Sequence, residues 1–133
     1  MPVSPEPQTS PFDPRLPAAR GERLQWGNAG GAIAALAIAE SAKHHRGLIL
    51  VVTADAQGAA LLEHEIRFFT GAGLELLTFP DWETLPYDVF SPLPELVSQR
   101  LSTLHALRDL VSGILVVPVT TLVQRLCPPS FLD

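Results

Sequence analysis

The sequence is poor in cysteine and in lysine, and it has no long apolar run. Its 133 residues include one cysteine, Cys127, and one lysine, Lys43. A single cysteine excludes an internal disulfide and is typical of proteins from a reducing compartment. No apolar run approaches the roughly 20 residues that a membrane-spanning helix needs, and the N-terminus lacks the pattern of a secretory signal. We therefore expect a cytoplasmic protein that does not bind membranes.

Positive charge is also scarce. Nine basic residues stand against fourteen acidic ones, which gives a net charge of −5. A surface that binds duplex nucleic acid usually needs clustered Lys and Arg, so the charge balance argues against this chain binding DNA by itself. One alternative stays open, namely direct DNA binding through the arginines of the C-terminal half, Arg100, Arg108 and Arg125.

Proline divides the sequence into two unequal parts. Residues 1–21 hold six of the thirteen prolines and little apolar periodicity, which predicts a disordered leader. Residues 22–133 carry the apolar segments of a folded domain, and 47% of the whole sequence is hydrophobic. This length fits one domain with a core of its own.

The apolar segments of residues 22–133 alternate between helical and strand patterns. We predict helices at Ala32–Ala42, after an N-cap at Asp55, at Glu95–Val111 and at a last short segment from Thr120 or Thr121 through Leu126. We predict strands at Gly47–Thr53, Leu74–Phe79 and Ile114–Val117, of which the first is expected to be buried on both faces. The core faces are expected at Ala59, Leu62, Ile66 and Phe69 in the second helix and at Val97, Leu101, Leu104 and Leu107 in the third. This alternation predicts an α/β fold, with a parallel sheet flanked by helices on both faces.

The turn before the first helix matches the frame of a nucleotide-binding P-loop only in part. A working P-loop reads G-x-x-x-x-G-K-[ST], in which the lysine and the hydroxyl contact phosphate and Mg²⁺. Here Gly27, Gly30 and Gly31 remain, but Ala32, Ile33 and Ala34 stand at the second glycine, the lysine and the hydroxyl positions. We therefore predict a degenerate P-loop that binds no nucleotide, and a turn that fits closely against the sheet.

The stretch Phe79–Arg100, FPDWETLPYDVFSPLPELVSQR, is the least regular part of the sequence. Its four prolines exclude a continuous helix or a central strand. We expect a packed loop anchored by aromatic and apolar residues (Trp82, Leu85, Tyr87 and Phe90). Its acids offer pairs for acid–base chemistry, but caps and backbone hydrogen bonds are the commoner role of acids in such loops. We expect no catalytic residue and no metal site.

The same stretch carries a family resemblance. The run FPDWETLPYD with the later FSP, SQRLSTL, GILVVPVTTL and RLCP is similar to the N-terminal region of the bacterial transcription-repair coupling factors. The resemblance covers about residues 24–132, and its family-motif residues are Asp81, Trp82, Glu83, Pro86, Tyr87, Asp88 and Arg100. The sequence departs from the family at Leu93–Glu95, where a more polar segment is usual, so a contact made by those side chains does not carry over.

The resemblance implies a large ATP-dependent translocase of double-stranded DNA. Such a factor displaces RNA polymerase stalled at a lesion and recruits the nucleotide-excision repair machinery through the excinuclease component UvrA. Its N-terminal module is similar to the excinuclease component UvrB, with a degenerate nucleotide site of the RecA and helicase type. The chain is then the first part of that module, truncated before an inserted subdomain. ATP and Mg²⁺ are cofactors of the parent protein and not of this part.

A second function class stays open beside the resemblance. The chain is alternatively an autonomous small nucleotide-binding enzyme of the P-loop type. That alternative needs a substitute cation near Ile33, and Lys43 and Arg46 stand a full helix away, at about 1.5 Å of rise per residue.

Overall fold

The computed structural model describes residues 10–27, 29–82, 94–126 and 128. Four helices, three strands and one turn of 3₁₀ helix follow each other in these residues. They are α1 (Ala32–His44), β1 (Leu48–Thr53), α2 (Ala56–Thr70), the 3₁₀ turn (Gly71–Gly73), β2 (Leu76–Thr78), α3 (Pro94–Asp109), β3 (Gly113–Pro118) and α4 (Val119–Leu122). The predicted order of elements is confirmed. The largest differences are β2, which is three residues long, and α4, which ends four residues before Leu126.

The three strands form one parallel sheet in the order β1-β3-β2. β3 lies in the centre, with Leu115 beside Leu50 of β1 on one side and beside Leu77 of β2 on the other. All six residues of β3 are buried, as its continuous apolar sequence indicates. The predicted α/β fold with a parallel sheet flanked by helices is confirmed.

One face of the sheet is covered by α2. The predicted core face of α2 is confirmed, because Ala59, Leu62, Ile66 and Phe69 all belong to the cluster that includes Ile114 and Val116. Ile66 is fully buried, and burying a side chain of this size contributes about 1.5–3 kcal/mol. α1 packs against α2 and adds its small residues, Ala35 and Ala42, to the same cluster.

The opposite face is covered by α3 over β2 and β3. Leu104 and Leu107 of α3 pack against Leu115 and Val117 of β3 and against Phe79. The expected core face of α3 is wrong at Leu101, which is 43% exposed, whereas Arg100 and Thr103 are buried. The helix is turned toward Arg100 because the polar groups of that residue and of Thr103 have partners on the segment after β2.

The prediction that β1 is buried on both faces is wrong. Leu48, Leu50 and Val52 are 39%, 52% and 48% exposed, and they alternate with half-buried residues. Because Leu50 and Val52 pair with Leu115 and Val117, they lie on the α3 side of the sheet. β1 is an outer strand, and α3 covers the other two strands on that side. The continuous apolar sequence of β1 therefore leaves an uncovered apolar strip.

Two helix boundaries follow the expected capping chemistry. The Asp55 side chain accepts a hydrogen bond of 2.7 Å from the backbone N–H of Gly58, which confirms the predicted N-cap of α2. Gly71 ends α2 with a φ of 60°, a conformation that favours glycine. On the outer side of α2, Glu63 and Arg67 form the predicted ion pair at 2.8 Å.

Residues 10–27 contain no helix or strand and make contacts with one another. The indole N–H of Trp26 donates to the backbone carbonyl of Arg15 at 3.2 Å, and Glu22 accepts from the backbone N–H groups of Ala18 and Ala19. The disordered leader stays a prediction for residues 1–9, which lie outside the described residues. No helix in the described ranges is long and apolar enough to cross a membrane.

Candidate functional site

The glycine-rich turn lies exposed before α1. The helix begins at Ala32 after Gly31, which has a φ of 56° and gives the helix no side-chain cap. A Cβ placed on Gly27, Gly30 or Gly31 meets no atom within 4 Å, so the expectation that this turn fits closely against the sheet is wrong. Only Gly31 is required for its backbone conformation.

The surroundings of this turn differ from those of a working P-loop. No strand precedes it within the described residues 10–27, whereas a P-loop connects a strand to a helix. Ile33 is 49% exposed at the position of the phosphate-binding lysine. The backbone N–H groups of Ile33 and Ala34 donate to the carbonyls of Gly30 and Gly31 at 3.4 and 3.0 Å, so two donors of the first turn are engaged. The degenerate P-loop stays a prediction.

A second group of residues lies around Arg100, near the carboxyl ends of β2 and β3. Arg100 extends from α3, is only 4% exposed, and lies between two aromatic rings. Its guanidinium carbon is 4.4 Å from the ring centre of Phe79 and 4.2 Å from that of Trp82. Nη1 donates a 2.6 Å hydrogen bond to the carbonyl oxygen of Pro80. The segment after β2 is thus fixed to α3 by two cation–π contacts and one charged hydrogen bond.

The next turn of α3 adds contacts to the end of β2. The hydroxyl of Thr103 donates to the backbone carbonyl of Thr78 at 2.9 Å, and the amide of Gln99 approaches the Thr78 hydroxyl at 3.5 Å. Gln99, Arg100 and Thr103 therefore form one polar stripe of α3. This stripe explains why α3 presents polar residues to the chain after β2.

Asp81 connects the same segment to the end of β3. Its carboxylate accepts from the hydroxyl of Thr120 and the side-chain amide of Gln124, both at 2.5 Å, and from the backbone N–H of Trp82 at 2.8 Å. Partial burial raises the pKa of Asp81, but these hydrogen bonds and the charge of Arg100 outweigh it and hold the pKa below its usual value. Burial lowers the pKa of Arg100, and Asp81 opposes that change.

The structure brings together three of the predicted family-motif residues, Asp81, Trp82 and Arg100. The other four, Glu83, Pro86, Tyr87 and Asp88, lie outside the described residues, as do Leu85 and Phe90. Sequence reasoning missed Phe79, Thr103, Thr120 and Gln124. Their signal is topological, because residues that follow adjacent parallel strands meet at one edge of the sheet.

The chemistry of this cluster is that of a connection between segments. Both oxygens of the Asp81 carboxylate accept hydrogen bonds, and the guanidinium of Arg100 is stacked and buried. No group of three His, Cys, Asp or Glu side chains suited to a metal ion occurs in the described part of the chain. We therefore assign to Asp81 and Arg100 the role of holding the start of the motif segment on the domain.

Comparison with known proteins gives relatives for most of the chain, although no family model matches it. The transcription-repair-coupling factor of Escherichia coli (strain K12) is 45% identical over 117 residues, which are 88% of this chain and 10% of the relative. The factor of the same name from Haemophilus influenzae is 40% identical over 126 residues, 95% of this chain and 11% of the relative. That of Mycobacterium tuberculosis is 36% identical over 95 residues, 66% of this chain and 8% of the relative. The chain thus spans about a tenth of the length of the curated relatives it matches.

Proposed function

The chain belongs to the transcription-repair-coupling factor family, and from that premise we propose that it forms a non-catalytic N-terminal part of such a factor. The observation that carries the proposal is the match itself, which extends over 88% of this chain at 45% identity but over only 10% of the relative. The proposed parent is a cytoplasmic, ATP-dependent translocase of double-stranded DNA. It displaces RNA polymerase stalled at lesions and recruits excision repair through the excinuclease component UvrA.

The exposed face of β1 supports the view that a further segment completes this domain. Leu48, Leu50 and Val52 form an apolar strip on a parallel sheet, and parallel sheets are normally covered on both faces. In the longer protein we propose that another segment of the same polypeptide packs on this strip. Leu50→Glu should then change the melting temperature of the 133-residue chain little, and destabilise the longer protein by about 2 kcal/mol or more. Equal small effects in both proteins would contradict the proposal.

The non-catalytic role is supported by the residues at the glycine-rich turn. Ile33 and Ala34 provide neither the charge nor the hydroxyl that a nucleotide triphosphate and Mg²⁺ need. Titration calorimetry of the chain with Mg-ATP should give no binding heat above dilution. Binding with micromolar affinity would contradict the non-catalytic role and favour the autonomous P-loop enzyme.

A matched pair of substitutions extends this test to the parent protein. Alanine at Gly27 and at Gly30 meets open space, so the double variant should fold normally. If ATP is bound elsewhere in the longer protein, this variant should keep the wild-type rate of ATP turnover and of polymerase displacement. Loss of ATP turnover in a normally folded variant would place the nucleotide at this turn.

Direct DNA binding by this chain is the weaker candidate. Of the three arginines considered for it, Arg100 is buried between Phe79 and Trp82 and presents no exposed guanidinium to a phosphate. We propose that duplex DNA contacts other parts of the parent protein. Fluorescence anisotropy with a labelled duplex should show no salt-dependent, submicromolar binding by the chain alone.

A further inference from the structure

A basic groove lies at the edge of the sheet opposite to Asp81 and Arg100. It is lined by residues at the C-terminal ends of α1 and α2 and by residues just before the strands. The lining consists of Ala42, Lys43, His45, Arg46, Thr70, Gly73, Leu74, Val111 and Ser112, around a volume of about 730 Å³. Neither the family-motif residues nor the glycine-rich turn contribute to it, so its role is separate from the proposed function.

The charge of this groove is opposite to that of the chain. Three basic side chains and no acidic one line the groove, whereas the whole chain has a net charge of −5. Lys43 pairs with Glu40 on α1 at 2.5 Å, which reduces its contribution. Arg46 lies beyond the end of α1, is exposed, and makes no ion pair within the described residues. Arg46 is therefore the cation best placed to meet an incoming carboxylate.

The groove also contains a buried hydrogen-bonding group without a partner. The hydroxyl oxygen of Thr70 is buried and makes no hydrogen bond to any described residue. Leaving such a group unpaired is unfavourable, and a ligand acceptor in the groove removes that cost. Ser112 adds a second hydroxyl to the lining. Hydroxyl and guanidinium donors on one lining are the donor set that a carboxylate accepts from.

The remainder of the lining is apolar. Ala42, Leu74 and Val111 provide aliphatic surface, and Val111 is 82% exposed. The C-terminal ends of α1 and α2 also face this side of the domain, and their carbonyl groups carry partial negative charge. That charge disfavours a doubly charged phosphate more than a singly charged carboxylate. An aliphatic side chain next to a carboxylate uses both the apolar surface and the cations.

We propose that this groove binds an acidic peptide segment of a protein partner, in which a Glu or Asp side chain neighbours an aliphatic one. The carboxylate lies between Arg46 and the Thr70 hydroxyl, and the aliphatic side chain packs on Leu74 and Val111. His45 is held at the rim, since a Cβ on Gly47 lies only 3.0 Å from its Nε2. The close approach of this ring accounts for glycine at position 47.

The test measures binding of a fluorescein-labelled peptide of alternating Glu and Leu to the 133-residue chain by fluorescence anisotropy. Saturable binding is expected, and the same peptide with Lys for Glu or with Ser for Leu should bind at least about fivefold more weakly. Arg46→Gln should weaken binding by about fivefold. Arg125→Gln makes the same charge change at an exposed arginine outside the groove and should leave the affinity unchanged.

Thr70→Val separates a binding role from a structural one. Valine keeps the shape of threonine and removes the unpaired hydroxyl, so the melting temperature should stay or rise while peptide affinity falls about threefold or more. If Arg46→Gln and Thr70→Val change only the melting temperature, the groove residues stabilise the helix ends and the proposal is wrong. It is equally wrong if Arg125→Gln weakens binding as much as Arg46→Gln does. Saturable binding of a single-stranded oligonucleotide or of inorganic phosphate in place of the peptide would also overturn it.

Discussion

Replacing Arg100 by alanine removes the contacts that fix the chain after β2 to α3. The side chain is 4% exposed and has three partners, namely the rings of Phe79 and Trp82 and the carbonyl of Pro80. Each cation–π contact of a desolvated cation contributes about 1–2 kcal/mol, and a hydrogen bond from a charged donor about 1.5–3 kcal/mol. Such terms are not additive within one cluster. We therefore expect Arg100→Ala to lower the free energy of unfolding by about 3–4 kcal/mol.

This loss is large enough to measure by thermal unfolding. For a domain of this size, about 3–4 kcal/mol corresponds to a decrease in melting temperature of roughly 10 °C. Arg100→Lys keeps the charge but loses the planar stacking and the fork of donors, so it should show about half of that decrease. Arg125→Ala is the matched control, because Arg125 is exposed, and should change the free energy of unfolding by less than about 0.5 kcal/mol. A decrease for Arg100→Ala no larger than that of Arg125→Ala would refute the clamping role of Arg100.

Three other substitutions test the carboxylate, a close backbone approach and a helix cap. Asp81→Asn should reduce stability at neutral pH and remove part of its acid dependence: because the folded-state pKa of Asp81 is lowered, its contribution is present above the unfolded value of about 3.9 and is lost as pH falls through the folded value. Urea unfolding of both proteins between pH 2 and pH 7 checks this, and parallel pH profiles would contradict it. Gly113→Ala should lower stability by at least about 2 kcal/mol, since a Cβ there lies 2.7 Å from the carbonyl oxygen of Glu75 at a φ of 153°; circular dichroism measures the loss, and Gly73→Ala, which meets open space, is the control. Asp55→Ala should cost about 1 kcal/mol through loss of the α2 N-cap, and Asp55→Asn should recover most of it in the same thermal unfolding assay.

The elements that the sequence predicts best are those whose partner is local. Asp55 caps α2 three residues away, Glu63 pairs with Arg67 one turn later, and the apolar period of α2 identifies its core face. Each of these features depends on propensity or on spacing within one helix. The order of elements and the parallel sheet follow from the same local patterns.

The failures occur where burial depends on a distant element. β1 and β3 have similar apolar sequences, yet β3 is buried throughout and β1 exposes alternate residues. Their difference is position in the sheet, central or outer, which periodicity within a single strand does not contain. The rotation of α3 has the same origin, because a pattern of leucines predicts Leu101 in the core, and the partners of Arg100 lie about twenty residues earlier.

The Arg100 and Asp81 cluster shows why a family motif identifies a protein before it explains a site. Asp81 bonds Gln124 across 43 residues and Arg100 bonds Pro80 across 20, so neither pair is visible as a spacing. Both pairs meet because β2 and β3 are adjacent and end at the same edge of the sheet. The acids of the motif could be read from sequence as catalytic groups, but Asp81 has its oxygens occupied by three donors. A carboxylate so engaged orders the chain around it, because taking a proton from a substrate would require it to give up the hydrogen bonds that hold the segment in place.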